Sequence, residues 1–325
     1  MRAEVERSPN TGTACERYEP PMVIALTAIG AYVLLVGVAS FIEVPVGRGL
    51  DALQLNALIR IGSAALAVAA LLAIHGFSLP AARSLAAGVG IGLLAGAGSI
   101  CYCFALNDLP VSLVVSVANL SIVVTIALGV TILHENVAPL KIVALVLTVA
   151  GALALSRPPA KHGVQPPGAA APATDGVQPP GAAASPHHRV RGFSLLALYL
   201  ALVGVSTFLE KPALRQLDAT QLNALQAIGM LVVAVAALGA VRESPKPGWH
   251  MAGSVGVGAM IGVGSIFYYL GLTRLPISIA VGAANGYVVV TVLLSVLIGH
   301  TALAWSTRLA ITLTVAGVML FALSA

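Results

Sequence analysis

Ten side chains set in or beside the apolar stretches of this 325-residue sequence have the types that recognition or proton chemistry requires. Asn119 and Asn285 each offer a donor pair and an acceptor. Ser99 with Tyr102, and Ser265 with Tyr268 and Tyr269, place hydroxyls beside aromatic rings that can stack a planar or cationic molecule. Glu43 and Glu210 are carboxylates able to gate a path or carry a proton, and Arg60 is a permanent cation suited to anion binding or gating. Each has a plainer structural alternative. The amides and hydroxyls could serve as interhelical hydrogen bonds, worth about 0.6 kcal/mol on average. Glu43 and Glu210 could pair with Arg48 and Arg215, which recur at the same spacing, and Arg60 could snorkel to the nearer interface.

The elements that must position these groups are written twice. "FIEVPVGRGLDALQLNAL" (41–58) and "FLEKPALRQLDATQLNAL" (208–225) agree at twelve of eighteen positions, at an offset of 167 residues. Most of the phrase is punctuation. Asp51-x-x-Gln54 and Asp218-x-x-Gln221 have the spacing of a reciprocal N-terminal capping box, and Pro45 and Pro212 are expected to end the preceding helices. Only Glu43 and Glu210 lack a role in stopping or starting a helix. Because a carboxylate at a helix C-terminus meets the negative end of the dipole, their position is unfavourable unless compensated.

Composition assigns the class. Hydrophobic residues make up 58% and charged residues 9% of the chain, too little charge to cover a soluble surface. Mean hydropathy is +0.96. The apolar residues fall into ten blocks of span length, near 22–42, 53–75, 82–106, 111–134, 138–156, 192–210, 221–241, 250–272, 277–298 and 303–325. The expected fold is an all-α polytopic membrane protein of about ten transmembrane helices. Its first span is retained, because the first apolar block is too long and starts too late for a cleaved signal. Lys and Arg are scattered between the blocks and form no basic stripe, so the net charge of +5 implies no nucleic-acid partner. They divide almost evenly between the two faces and leave the orientation open.

Four segments follow: a polar tail (1–21), a first five-helix repeat (22–156), a Pro/Ala-rich linker (157–191) and a second five-helix repeat (192–325). The linker holds the tandem "GVQPPGAAAPATD" and "GVQPPGAAASPHH", followed by His187, His188, Arg189 and Arg191 as a solvated flank. "GIGLLAGAGSICYCFALNDLPVSLVVSVANL" (90–120) aligns with "GVGAMIGVGSIFYYLGLTRLPISIAVGAANG" (256–286), and the match continues through Thr125 and Thr291. Five spans per repeat is odd, so the second copy lies inverted, and the twin phrases fall on opposite faces. Inverted repeats characterise many secondary transporters, with the substrate site near the midplane. Gly92-x-x-x-Gly96 and Gly258-x-x-x-Gly262 are helix-packing surfaces, with neither the strand nor the acid of a dinucleotide fingerprint. Cys101 and Cys103 project to different helix faces and make no metal motif.

With these features in place, "FALNDLPVSLVVSVANLSIVVTIALGVTILHENVAPLKIVALVLTVAGALAL" resembles the fourth and fifth spans of EamA-type members of the drug/metabolite transporter superfamily. Glu135 stands where that pattern has a glutamate after the fourth helix, and Arg60 in "NALIRIGSAAL" matches its arginine early in the second span. The sequence departs from the pattern at Ile122, where a proline is common, so no proline kink is expected there. Thr301 and Ala227 replace Glu135 and Arg60 in the second half. The resemblance implies a central cavity lined by the first, third and fourth helices of each repeat. It also implies a secondary transporter, an exporter of a small organic metabolite or drug, in a bacterial cytoplasmic membrane. The implied partners are that small molecule and the lipid bilayer, with a homodimer compatible, and no cofactor is implied. The competing classes are an integral-membrane enzyme such as a lipid-linked transferase, and a non-transporting receptor or assembly subunit. The first would need clustered carboxylates, a nucleophile with its base, or H-E-x-x-H, and Glu135 after His134 completes none of these.

Overall fold

The computed structural model describes residues 21–76, 80–135, 139–155, 186–239, 248–299 and 305–323. The polar tail and nearly all of the linker lie outside them. Every regular element among the described residues is an α-helix: α1 (Pro21–Val46), α2 (Ala52–His75), α3 (Ala82–Asp108), α4 (Val111–Ala118), α5 (Ser121–Ile132), α6 (Pro139–Leu155), α7 (Pro186–Ala213), α8 (Ala219–Gly239), α9 (Trp249–Arg274), α10 (Ile277–Ala284), α11 (Tyr287–Gly299) and α12 (Trp305–Leu323). Seven segments among the described residues are long and apolar enough to cross a membrane, α10 and α11 together forming one of them. With the shorter apolar helices α5, α6 and α12 they fit two inverted five-helix repeats in which α4 and α5 share the fourth span. The outward surfaces carry Leu34, Val146, Val232, Leu297 and Met319, all more than half exposed, which only lipid would cover.

Between the repeats, the pairings come in exchanged couples. α1 packs on α9 as α7 packs on α3; α2 packs on α9 as α8 packs on α3; α1 meets α11 as α7 meets α5. The self-matched pairs, α2 with α8 and α6 with α12, lie across the pseudo-twofold. Side chains repeat the relation. Thr125 donates to the Gly204 carbonyl at 3.1 Å, and its counterpart Thr291 donates to the Gly37 carbonyl at 3.0 Å. Thr125→Val and Thr291→Val keep the shape and remove the donor. Each is expected to lower stability by about 0.5–1.5 kcal/mol, measured by denaturation in mixed micelles.

The twin phrases sit on opposite faces. Taking the face where α1 begins as the first face, the loop after α7 lies there, with Asp218 Oδ2 3.0 Å from Nε2 of His75 at the end of α2. The loop after α1 lies on the second face, where the Val46 carbonyl is 3.0 Å from Nδ1 of His250 at the start of α9. Both capping boxes form. Asp51 Oδ1 accepts the Gln54 N–H at 2.8 Å while Gln54 Oε1 accepts the Asp51 N–H at 3.4 Å. The Asp218–Gln221 pair does the same at 2.9 and 3.3 Å.

Three local features sharpen the sequence reading. Pro45 and Pro212 fall inside the last turns of α1 and α7, each helix running one residue past its proline. α7 starts at Pro186, so His187, His188, Arg189 and Arg191 are exposed but helical, and His188 and Arg191 pair with Asp108 at 3.1 and 3.4 Å. The fourth and ninth spans break at Asn119 and Asn285 without a proline. Each asparagine turns its side chain back onto its own helix, Nδ2 donating to the Val115 carbonyl at 3.0 Å and to the Val281 carbonyl at 2.9 Å. An amide that takes the carbonyl four residues earlier competes with the helical ladder and lets the chain turn.

Candidate functional site

A cavity of ≈ 250 Å³ lies between α1, α2, α7, α8, α9, α10 and the start of α11. Six of the ten candidate side chains line it: Arg60, Glu210, Ser265, Tyr268, Tyr269 and Asn285. Glu43, Ser99, Tyr102 and Asn119 are outside its lining. Ser99 is tied to it indirectly, accepting Arg60 Nη2 at 3.3 Å while donating to the Ala95 carbonyl at 3.0 Å. Tyr102 packs on Tyr199 with ring centroids 5.4 Å apart.

The helical geometry explains the selection. α8 starts at the Asp218 cap on the first face and brings Asn223 and Gln226 inward within its first two turns. α7 ends on that same face, so Glu210, in its last turn, lies beside them. Gln226 Nε2 donates to Glu210 Oε1 at 2.9 Å. The Tyr269 hydroxyl sits 3.3 Å from the same oxygen and also against Gln226 Oε1. Tyr268 interacts with the same carboxylate, while Oε2 is buried without a well-formed hydrogen bond. Glu210 is only 4% exposed, and no cation forms an ion pair with it among the described residues. Arg215, expected as its partner, is exposed.

Glu43 occupies the matching place near the second face, in different surroundings. It is only partly buried, Arg48 is exposed, and the positive charge that acts on it is Arg60. Arg60 itself turns to Ser99 and the cavity rather than out to the interface, and its Nε is buried without a partner. The sequence-matched carboxylates are thus chemically unlike: one is held by neutral donors, the other lies in the field of a guanidinium. The ring of Tyr268 stands 5.3 Å from both Tyr32 and Tyr269, so an aromatic wall adjoins the Glu210 carboxylate. Such a wall and a carboxylate can hold a proton or a cationic group.

Sequence reasoning missed Gln226, Asn223 and Tyr32. Gln226 had a usable signal, because its counterpart in the first half is Ile59, a polar-for-apolar exchange inside an otherwise duplicated span. Asn223 lies within the twin phrase, where its neighbours are helix-capping residues. It donates to the Gly262 carbonyl at 3.1 Å, tying α8 to α9.

The glycine surfaces set the approach of the helices around the cavity. A Cβ at Gly92 would strike the backbone of Gln226 on α8, and one at Gly258 would strike the backbone of Ile59 on α2. These contacts join the repeats at close range and leave the polar side chains between them.

Comparisons with known proteins place this architecture. A sequence comparison with curated proteins gives no match. A solved structure described only as the crystal structure of a protein superposes with a TM-score of 0.71 at 18% identity, covering 94% of this chain and 99% of that one, a likeness of fold. The family model described as "EamA-like transporter family" matches residues 22–157 and again 190–323, one copy on each repeat. Duplicated family matches on the two repeats that line the cavity place the chain in the EamA-like transporter family.

Proposed function

We propose that this protein is a secondary transporter, an exporter of a small organic metabolite or drug, that works by alternating access of the cavity between its inverted repeats. The observation that carries the reading is the unequal packing of the two broken spans around that cavity. All eight residues of α10 are buried, and α10 packs on α5 and α6 of the other repeat. Its counterpart α4 makes no comparable packing on α11 or α12 among the described residues. Two repeats with the same pattern that adopt unlike packings supply the two states alternating access needs, since exchanging their packings moves the opening from one face to the other.

Substrate recognition falls to Tyr268, Tyr269, Ser265 and Asn285 along the cavity wall. Glu210 is the coupling group if the cycle uses a proton gradient, and facilitated movement down the substrate's own gradient is the other form of the same cycle. The protein would act in a cytoplasmic membrane, as a monomer or a homodimer. Counterflow in proteoliposomes loaded with a broad panel of small metabolites tests the reading. Exchange of at least one compound class well above protein-free vesicles is expected; no exchange across the panel sinks it.

A further inference from the structure

We infer that Glu135 and Lys211 are gate residues that hold the first face closed, and that the second face carries no matching pair. The inference rests on the alternating-access reading but on different atoms from those of the cavity. Glu135 follows α5 in the first repeat and reaches the first turn of α10 in the second. Its Oε1 accepts the Ile277 N–H at 2.6 Å, and its Oε2 accepts the Ser278 N–H at 3.2 Å and the Ser278 hydroxyl at 2.8 Å. Two amides that a helix start leaves unpaired, and the Ser278 hydroxyl beside them, are thereby satisfied across the repeat boundary by one carboxylate, placed where the helix dipole favours an anion.

The chain is bent to make this contact. His134 is the one non-glycine residue with positive φ among the described residues, at 53°, a conformation that costs energy and persists where the surroundings require it. The turn closes with the Glu135 N–H on the Gly129 carbonyl at 3.3 Å. Gly129 also makes the room: a Cβ there would come within 2.6 Å of the Ile277 side chain.

Lys211 completes the closure from the other side of the same turn. Its Nζ donates to the Leu272 carbonyl at 2.5 Å and the Leu275 carbonyl at 2.8 Å, at the end of α9. A cation thus meets the C-terminus of α9 and an anion the N-terminus of α10, on either side of Pro276, and the two charges act on each other. Opening the first face would strip the start of α10 of its Glu135 partner until water reaches it, while Lys211, in the same repeat as α9, holds the turn that presents those donors.

The other repeat repeats the target and lacks the latch. Pro110 and Ser112 at the start of α4 match Pro276 and Ser278, but Val44 replaces Lys211, Ser295 replaces Gly129, and Thr301 replaces Glu135. The start of α4 on the second face therefore lacks a carboxylate latch of this kind; the charged contacts there join α3 to α7, through Asp108 with His188 and Arg191.

The test reads conformation rather than transport. In the full chain with Cys15, Cys101 and Cys103 changed to alanine, spin labels at Thr131 on α5 and Thr273 on α9 report the first face in nanodiscs by electron–electron resonance. A second pair, at Arg48 and Val190, reports the other face. The parent should give one short first-face distance. Glu135→Gln and Lys211→Met should each raise the ratio of a longer population to the short one about tenfold, the scale of losing a charge-assisted hydrogen bond. The second-face distribution should stay sharp. An unchanged first-face distribution in both variants overturns the inference, and so does equal broadening at both faces, which means general loosening. The outcome is independent of the transport reading: shifted distances without counterflow keep the latch and sink the transporter, whereas counterflow with unshifted distances sinks the latch alone.

Discussion

Glu210→Gln is expected to abolish the response of transport to a pH gradient, while Glu43→Gln leaves most of it in place. The sequence offers no reason for this difference, since both carboxylates stand at the third position of the twin phrase. The structure does. A carboxylate removed from water must be paired, hydrogen-bonded or protonated, because an isolated buried charge is strongly unfavourable. Glu210 has neutral partners only, Gln226 and the tyrosines, which hold it in place without fixing its charge. Glu43 instead has the permanent cation Arg60 as a nearby counter-charge. A proton can therefore bind and leave at Glu210 as access changes, without a neighbouring cation to compete with it. The measurement is substrate exchange in proteoliposomes with and without an imposed pH gradient. A drop of about tenfold or more in gradient-driven flux for Glu210→Gln, with counterflow at equal pH retained, supports the assignment. Gradient-driven flux that survives Glu210→Gln, or that Glu43→Gln abolishes instead, removes it.

The architecture was legible in the sequence because its determinants are local and duplicated. Apolar block length gave the spans, Asp51 and Asp218 gave the helix starts, and an odd span count gave the inversion. The breaks at Asn119 and Asn285 were less legible. A proline announces its effect through a missing donor, whereas an asparagine breaks a span only when its amide turns back onto its own helix. The candidate site was half legible. Residue type found Tyr268, Tyr269, Asn285 and Glu210, but which polar groups meet depends on helix rotation, which a uniformly apolar helix hardly encodes. Glu135 is the instructive case. Its bonding partners lie more than 140 residues away in the other repeat, so nothing in its neighbourhood reveals them. A glutamate at a helix end looks like an interfacial charge until the start of α10 is placed beside it.

The glycine stripe shows the same limit and yields the largest expected effect on stability. In sequence, Gly90, Gly92, Gly96 and Gly98 match Gly256, Gly258, Gly262 and Gly264 and look equivalent. In the structure they are not. Gly90 and Gly256 face open space, whereas Gly92 and Gly258 lie against the backbones of Gln226 and Ile59. Gly229 and Gly62 approach from the partner helices, a Cβ on them striking the backbones around Val89 and Val255. Backbone cannot swing aside as a side chain does, so an added methyl must push two repeats apart along a whole helix. Gly258→Ala and Gly92→Ala are each expected to cost about 1–3 kcal/mol or more, at the upper end of overpacking. Gly256→Ala and Gly90→Ala should instead stabilise by about 0.5–1 kcal/mol, because alanine loses less backbone freedom than glycine in a helix. Thermal unfolding of the four purified variants in one detergent reads the result as opposite shifts in Tm from neighbouring glycines of one stripe. Equal shifts for Gly256→Ala and Gly258→Ala would mean that α2 and α9 do not cross at Gly258, and the close inter-repeat contact that frames the cavity would have to be given up with it.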